Sequence, residues 1–310
     1  MWKKLGLIFE PPRKGWMMSH AQNPFCEPLD DKGLYRVHFA SRDEKNRSRG
    51  GTFDFDVRRP EKTLAVSEKP TLDLGELGAF DDSGVMPSTL VDFKGRRHLY
   101  YTGWQKAVDV PFLFFIGLAV SEDGGVNYRR ASRAPVLGRN ARDPFMTGAP
   151  WVIREGDLLR MWYISATKWE LDPANPSAKP KHYYTIKHAD SKDGLTWNTS
   201  ERLCINYEEG EYAIARPTVI KKDGIYQMRF TYRGGIDTYR IGLAESKDGV
   251  SWHRKRDDLE LETSPSGWDS QMVCYGSVFF RGQTMYMLYN GNNYGETGVG
   301  LAVWSAAQRS

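Results

Sequence analysis

The sequence predicts an all-β chain folded as a five-bladed β-propeller, its ring closed by an N-terminal strand in the last blade. Three observations carry this. First, a segment ending in Asp-Gly recurs: IGLAVSEDGGVNY at 116–128, IKHADSKDGLTW at 186–197 and IGLAESKDGVSW at 241–252, with a shortened VGLAVWS at 299–305. Asp-Gly between strand-like runs signals a hairpin, because Gly accepts positive φ without steric cost. Second, the strand-like runs LYRVHFAS, HLYYTGW, LLRMWYIS, YQMRFTYRGG and MYMLYNGN place an aromatic residue at one equivalent position: Phe39, Tyr101, Tyr163, Phe230 and Tyr289. Third, these anchors recur at intervals of about 60 residues with no helical periodicity. A β-sandwich needs no such in-register copies, whereas a propeller is built from them.

The elements follow in chain order, and residues 1–310 read as a single domain. Leu5 to Phe9 is a short strand stopped by Glu10-Pro11-Pro12, since proline cannot donate to a ladder. It is expected to be the fourth, outermost strand of the last blade, which removes the open edge of a linear array. The blades run over about 20–72, 78–136, 141–203, 211–261 and 266–310. The charged loop SRDEKNRSRG (41–50) leaves the second strand of blade one, as a funnel-mouth loop or a plain solvated hairpin. The longest insertion, KWELDPANPSAKPKH (168–182), carries three prolines and is a loop, either a lid or a variable tip.

Hydrophobic content of 40% and aromatic content of 13% suffice for burial, and the aromatics suit both strands and sugar-stacking faces. A propeller grows by adding blades, so this length fits one domain. The net charge of +4 is spread out, with no basic run of the kind that tracks nucleic acid. Cys26, Cys204 and Cys274 show no metal spacing and read as free thiols of a reducing compartment. The apolar run near the start is too short for a signal core or a membrane span, so a cytoplasmic location is expected. No metal site and no cofactor motif is readable.

Nineteen or twenty residues before the anchors lie His20, Asp82, Asp143, Glu211 and Asp269. Each leads an innermost strand, and innermost strands line the channel of a propeller. The register therefore predicts four carboxylates and a histidine around one funnel. Such carboxylates repel one another and are costly to desolvate; alternatively, some cap turns or pair with arginines. Glycoside cleavage needs two carboxyls, one acting as acid and one as base or nucleophile. Glu211, with the longer reach, is the candidate acid. Asp82 and Asp143 are candidates for the base and for the group that tunes the acid, and Asp269 and His20 for binding sugar hydroxyls. Arg36, Arg142, Arg216, Arg229 and Arg233 fall near the axis, where they either pair with carboxylates or recognise phosphate or a sugar carboxylate. Among them Arg36, Arg216 and Arg233 are the candidate ligand-binding residues. Asn290 and Asn292, in NGNNYG at 290–295, either hold a sugar or form an Asn-Gly turn.

With its blades, its Asp-Gly-Trp hairpins and its acidic residues leading inner strands, the chain resembles the five-bladed glycosidases: the arabinanase/xylosidase, invertase/levansucrase and mannoside-phosphorylase families. ARDPF at 141–145 is similar to the Arg-Asp-Pro motif of their third blade. That resemblance implies that Asp143 tunes the acid or stabilises the transition state. The overall look is also similar to uncharacterised glycosidase-like propellers of bacterial surface-polysaccharide gene clusters. Two motifs depart. His20-Ala21-Gln22 stands where the hydrolases carry a first-blade aspartate, and Ala215-Arg216-Pro217 replaces the fourth-blade Glu-Gly-Pro or Glu-Cys-Pro. Phosphorylase-like members use phosphate in place of a carboxylate base, which an arginine-lined funnel suits. A nucleotide-sugar or acidic-sugar ligand suits it too. The resemblance thus implies a carbohydrate-active enzyme that hydrolyses, phosphorolyses or transfers a glycosyl unit, or a sugar-binding propeller that has lost its base.

Overall fold

The computed structural model describes residues 1–175, 177–234, 236–255 and 261–305. It is nearly all β. The strands group into antiparallel four-stranded units, in each of which neighbours in sequence are neighbours in space. The first unit is β2 (Ser19–Pro28), β3 (Leu34–Arg42), β4 (Ser48–Asp56) and β5 (Thr63–Val66). The second is β6 (Gly84–Phe93), β7 (Arg96–Lys106), β8 (Phe112–Ser121) and β9 (Arg129–Arg130). The third is β10 (Thr147–Glu155), β11 (Leu158–Glu170), β12 (Lys181–Ser191) and β13 (Asn198–Leu203). The fourth is β14 (Glu211–Lys222), β15 (Ile225–Gly234), β16 (Ile236–Ser246) and β17 (His253–Lys255). The fifth is β18 (Cys274–Arg281), β19 (Thr284–Asn290) and β20 (Val299–Trp304), joined by β1 (Trp2–Phe9), which pairs antiparallel with β20. One parallel bridge, Ser48 to Gly84, links the first two units, and another, Tyr184 to Ala213, links the third and fourth. Among the described residues the hydrogen-bonded sheets are thus three, and none closes on itself.

The recurring sequence has two structural jobs. The anchors Phe39, Tyr101, Tyr163, Phe230 and Tyr289 are all buried at 1% exposure or less. Four of them lie directly across the ladder from a glycine: Gly51, Gly117, Gly242 and Gly300. A Cβ on Gly117 would stand 2.2 Å from the Tyr101 ring, so the glycine of IGLA is a seat for the anchor. In the third unit the seat is taken by Lys187 opposite Tyr163, with a consequence described below. The Asp-Gly turns lock units together. Asp193 accepts from the Leu195 and Thr196 amides, and Asp248 from those of Val250 and Ser251. The turn carbonyls then face the preceding unit: Tyr100 donates to Gly194 O at 2.9 Å and Trp162 Nε1 to Gly249 O at 2.7 Å.

The first and fifth units also share a core, with Ile8, Phe9, Leu288 and Val299 packed on Phe39 and Phe53. Three amides at the bulges of inner strands are held alike. Ala149 N donates to Thr102 Oγ1, Tyr275 N to Thr231 Oγ1 and Asn23 N to Asn290 Oδ1. Each acceptor is the residue after an anchor in the neighbouring unit.

One expectation is corrected here. The N-terminal strand begins at Trp2, not Leu5, and passes Gly6 with a shift of register. Residues 292–295 form a single turn, α1 (Asn292–Gly295). The C-terminal end of the expected fifth blade, 306–310, lies outside the described residues.

Candidate functional site

In the second to fifth units a carboxylate at or next to the expected position sits in a separate clasp that ties the start of the unit to its later strands. Asp143 is fully buried; Tyr163 donates to it at 3.1 Å and Lys187 Nζ lies 3.2 Å away. The lysine that replaced the glycine seat is therefore the counter-ion of this aspartate. Asp269, also buried, accepts from Tyr289 at 3.0 Å and from Lys4 on β1 at 2.6 Å. In the second unit the equivalent residue is Asp81, bonded to Tyr101 at 2.9 Å and to Arg130 at 2.7 Å. Its neighbour Asp82, the expected site residue, only accepts from the Gly78 amide and the Ser83 hydroxyl. Glu211 forms a two-pronged pair with Arg254 at 2.7 and 2.8 Å, its anchor Phe230 having no hydroxyl to offer. The physical reason is the cost of burying a carboxylate, which a cation at each position offsets, joined by a tyrosine hydroxyl at Asp81, Asp143 and Asp269.

Other expected site residues are also bonded within the protein. Arg36 pairs with Asp54 through two bonds of 2.8 and 2.9 Å. Asn290 is fully buried and bonds Asn23 N, Ala21 O and Gly298 O. Asn292 caps the Gln271 and Met272 amides. His20 is buried beside Ser19, and burial followed by the nearby Arg42 charge lowers its pKa to about 4, so it is neutral at pH 7. Arg142 donates to the Thr199 carbonyl, and Arg229 to Gln227.

A large cavity of about 1420 Å³ opens elsewhere, and of the expected site residues Arg233 alone is on its described lining. Its walls bring together the faces of Trp104, Phe112, Phe114, Tyr183, Tyr212 and Tyr294 with the cations Arg42, Lys106, Lys179, Lys181 and Arg233. The side-chain carboxylates on it are Asp109, Glu170 and Asp172, all exposed at the rim. Arg233 is held by neutral groups: Nη1 donates to Tyr212 at 3.3 Å, Nη2 to Tyr294 at 3.2 Å, and the guanidinium lies 4.2 Å over Tyr239. Arg42 donates to Gln22 at 2.9 Å and to Asn46 at 3.1 Å. Arg216, off the described lining, is 1% exposed and donates to the carbonyls of Ser88 and Asn23, so it ties three inner strands together. Burial lowers its pKa to about 9, which leaves it charged at neutral pH. Among the described residues none of these three arginines has a carboxylate within ion-pair distance. The Nε atoms of Arg216 and Arg233 are buried with no acceptor. His182, on the same wall, is held neutral by burial and then by Arg233, with a pKa of about 4.

A second register, shared by the inner strands, is marked by bulges. It comprises Asn23-Pro24, Met86-Pro87, Ala149-Pro150 and Arg216-Pro217, with Tyr275-Gly276 in the fifth unit. Asn23, Ala149, Arg216 and Tyr275 all adopt left-handed φ, between 45° and 57°. The ladder shifts register there, and such a bulge re-aims a side chain. Four X-Pro pairs at matching places in the repeat were the available signal.

No protein-family model matches the chain. It is 39% identical over 304 residues to the uncharacterised proteins MT1551 and Rv1502 of two Mycobacterium tuberculosis strains, covering 97% of this chain and 98% of each of those. A stretch of 138 residues, 42% of this chain and 45% of the other, is 29% identical to a 1,2-beta-oligomannan phosphorylase of a Thermoanaerobacter species. Among solved structures, one described as a glycoside hydrolase superposes with a TM-score of 0.76 at 17% identity, over 99% of this chain and 92% of that one. An alpha-L-arabinofuranosidase from Podospora anserina in complex with cellotriose gives 0.67 at 10% identity, over 98% and 96%. The fold is that of propeller-type glycoside hydrolases. No described helix is long and apolar enough to cross a membrane. Among the described residues no group of three or more His, Cys, Asp and Glu is placed to hold a metal.

Proposed function

We propose, for a chain that belongs to the family of the Mycobacterium tuberculosis proteins MT1551 and Rv1502, a carbohydrate-active function in which the cavity takes a glycosyl ligand bearing an oxyanion. The observation that carries this is the pairing, in one cavity, of aromatic faces suited to sugar rings with arginines that have no carboxylate partner among the described residues. Such arginines are suited to phosphate or a sugar carboxylate. The partial likeness to a 1,2-beta-oligomannan phosphorylase supports phosphate as the first candidate. A phosphate nucleophile also removes the need for a carboxylate base in the funnel. Hydrolysis by Glu211, Asp82 and Asp143 is the less supported reading, because two of the three are committed to ion pairs and none lines the cavity. Residues 1–310 then form one five-bladed ring closed by β1, working in the cytoplasm on bacterial polysaccharide or its precursors. The Asn23–Asn290 bond, repeating the link between the other units, supports the closure.

A second reading, a non-catalytic sugar-binding propeller, is favoured by the inner-strand set Asn23, Met86, Ala149, Arg216 and Tyr275, which offers no carboxyl. A thermal-shift panel of inorganic phosphate, nucleotide sugars, and neutral and acidic sugars separates these. A ligand at a hundredfold excess over its Kd stabilises by about 2.7 kcal/mol. We expect phosphate or a nucleotide sugar to raise Tm and Arg233→Gln to abolish the rise. A rise with neutral sugars alone, unchanged in Arg233→Gln, contradicts the oxyanion assignment. Product formation from a glycoside plus phosphate then decides between enzyme and binder.

A further inference from the structure

We propose that Trp104 is the platform on which the ring of the bound sugar lies, with Ser48 as its positioning residue, and that the ligand carries its oxyanion directly on that ring, beside Arg42. This rests on the cavity reading above and assigns the sugar side of that site.

Trp104, Ser48 and Arg42 all line the cavity. The backbone sets their order. Arg42 on β3 pairs with Ser48 on β4, Ser48 bridges to Gly84 on β6, and Gly84 pairs with Trp104 on β7. Residues directly opposite in a ladder share one face. The row therefore reads cation, hydroxyl, bare glycine and indole along one face of the wall. The glycine is what lets the indole lie down. A Cβ on Gly84 would stand 1.6 Å from Trp104 Nε1, so the ring crosses that position toward β4. There Nε1 donates to Ser48 Oγ at 2.8 Å. Since neighbouring strands are about 4.8 Å apart, the edge of the indole ends about one strand from that of Arg42.

Trp104 has no other structural employment of the kind its relatives in the chain have. Of the ten tryptophans, nine pack into an apolar cluster or against another aromatic ring. Trp104 has neither kind of partner among the described residues, and it is half-buried. An indole whose N–H is satisfied and which carries no packed ring offers an apolar face, and the C–H side of a sugar ring covers such a face. Arg42 supplies the anion end. Gln22 holds its Nε at 2.9 Å and Asn46 its Nη1 at 3.1 Å, while Nη2 makes no hydrogen bond among the described residues. A guanidinium fixed by two neutral amides, with one nitrogen uncommitted, is suited to an oxyanion. The ligand that engages platform and cation together is a sugar with its phosphate or carboxylate on the ring itself. A sugar joined to its anion through a longer arm gains from one of the two and not from both.

The test is isothermal titration of glucose 1-phosphate, mannose 1-phosphate and glucuronate, with inorganic phosphate and acetate as the bare anions, at fixed ionic strength. The proteins are wild type, Trp104→Ala, Trp104→Phe and Ser48→Ala, with Tm measured for each. Burial of one sugar face on the indole predicts that a sugar anion binds wild type at least about tenfold more tightly than its bare anion. Trp104→Ala should bring that affinity down to the level of the bare anion, leaving bare-anion binding and Tm unchanged. Trp104→Phe should keep part of the gain. Ser48→Ala, which frees the indole edge, should weaken the sugar anion severalfold and not the bare one. Which sugar anion gains identifies the group as phosphate or carboxylate. A sugar anion that binds no more tightly than its bare anion overturns the Trp104 assignment alone. So does a gain that Trp104→Ala leaves intact, or equal weakening of both ligands with a lowered Tm, which makes the residue structural. No binding of any anion by wild type overturns both this inference and the oxyanion reading.

Discussion

The clasps and the cavity floor use charge in opposite ways. In the clasps every buried carboxylate has a cation: Asp143 has Lys187, Asp269 has Lys4, Asp81 has Arg130 and Glu211 has Arg254. In and next to the cavity Arg42, Arg233 and the buried Arg216 are held by tyrosines, amides and carbonyls. Burying a charge is expensive in both places. The clasps offset the cost within the fold. The arginines leave part of it uncompensated among the described residues, which under the proposed function a bound anion would relieve. In that proposal, satisfied charge marks structure and unsatisfied charge marks the site.

The comparison breaks most visibly at the most buried clasp. Asp143→Asn leaves Lys187 buried without its counter-ion and should cost about 3–5 kcal/mol in denaturant unfolding. A loss below 1 kcal/mol would show that the clasp contributes little. Glu211→Gln weakens a partly shielded pair and should cost about 1–3 kcal/mol. Any turnover the protein possesses should survive it; loss of turnover in a folded Glu211→Gln protein would return this residue to the role of acid. Smallest is the effect of pH. His20 and His182 have folded pKa values of about 4 against 6.5 unfolded. The unfolded chain therefore binds more protons between those values. Their contribution is fully present above pH 6.5 and is lost as pH falls toward 4. Tm should decline over that window, less steeply in His20→Asn; an identical slope in the variant would remove His20 from the account.

Much of the architecture was legible because it rests on local chemistry repeated along the chain. The anchors, the Asp-Gly turns and the N-terminal strand of the last unit each announce themselves by residue type and spacing. The carboxylate register was also real, but spacing reports which residues are equivalent and not which way they face. Asp143 and Asp269 recur because each unit needs its lead-in loop tied down, and Asp81 rather than Asp82 keeps that spacing. The cation that neutralises Asp143, Lys187, sits in the repeat itself, as IKHA where the other copies read IGLA or VGLA. That single exception was a readable sign of the clasp. Arg216 and Arg233 were singled out from sequence. Arg42 was missed, since it lies at a strand end.

The most direct test of the floor as an anion site is a crystal soaked in tungstate, a heavy mimic of phosphate. The account predicts one strong anomalous peak within hydrogen-bond reach of Arg42 and Arg233, absent in Arg233→Gln. An empty floor at saturating tungstate, with the peak elsewhere on the surface, would contradict it.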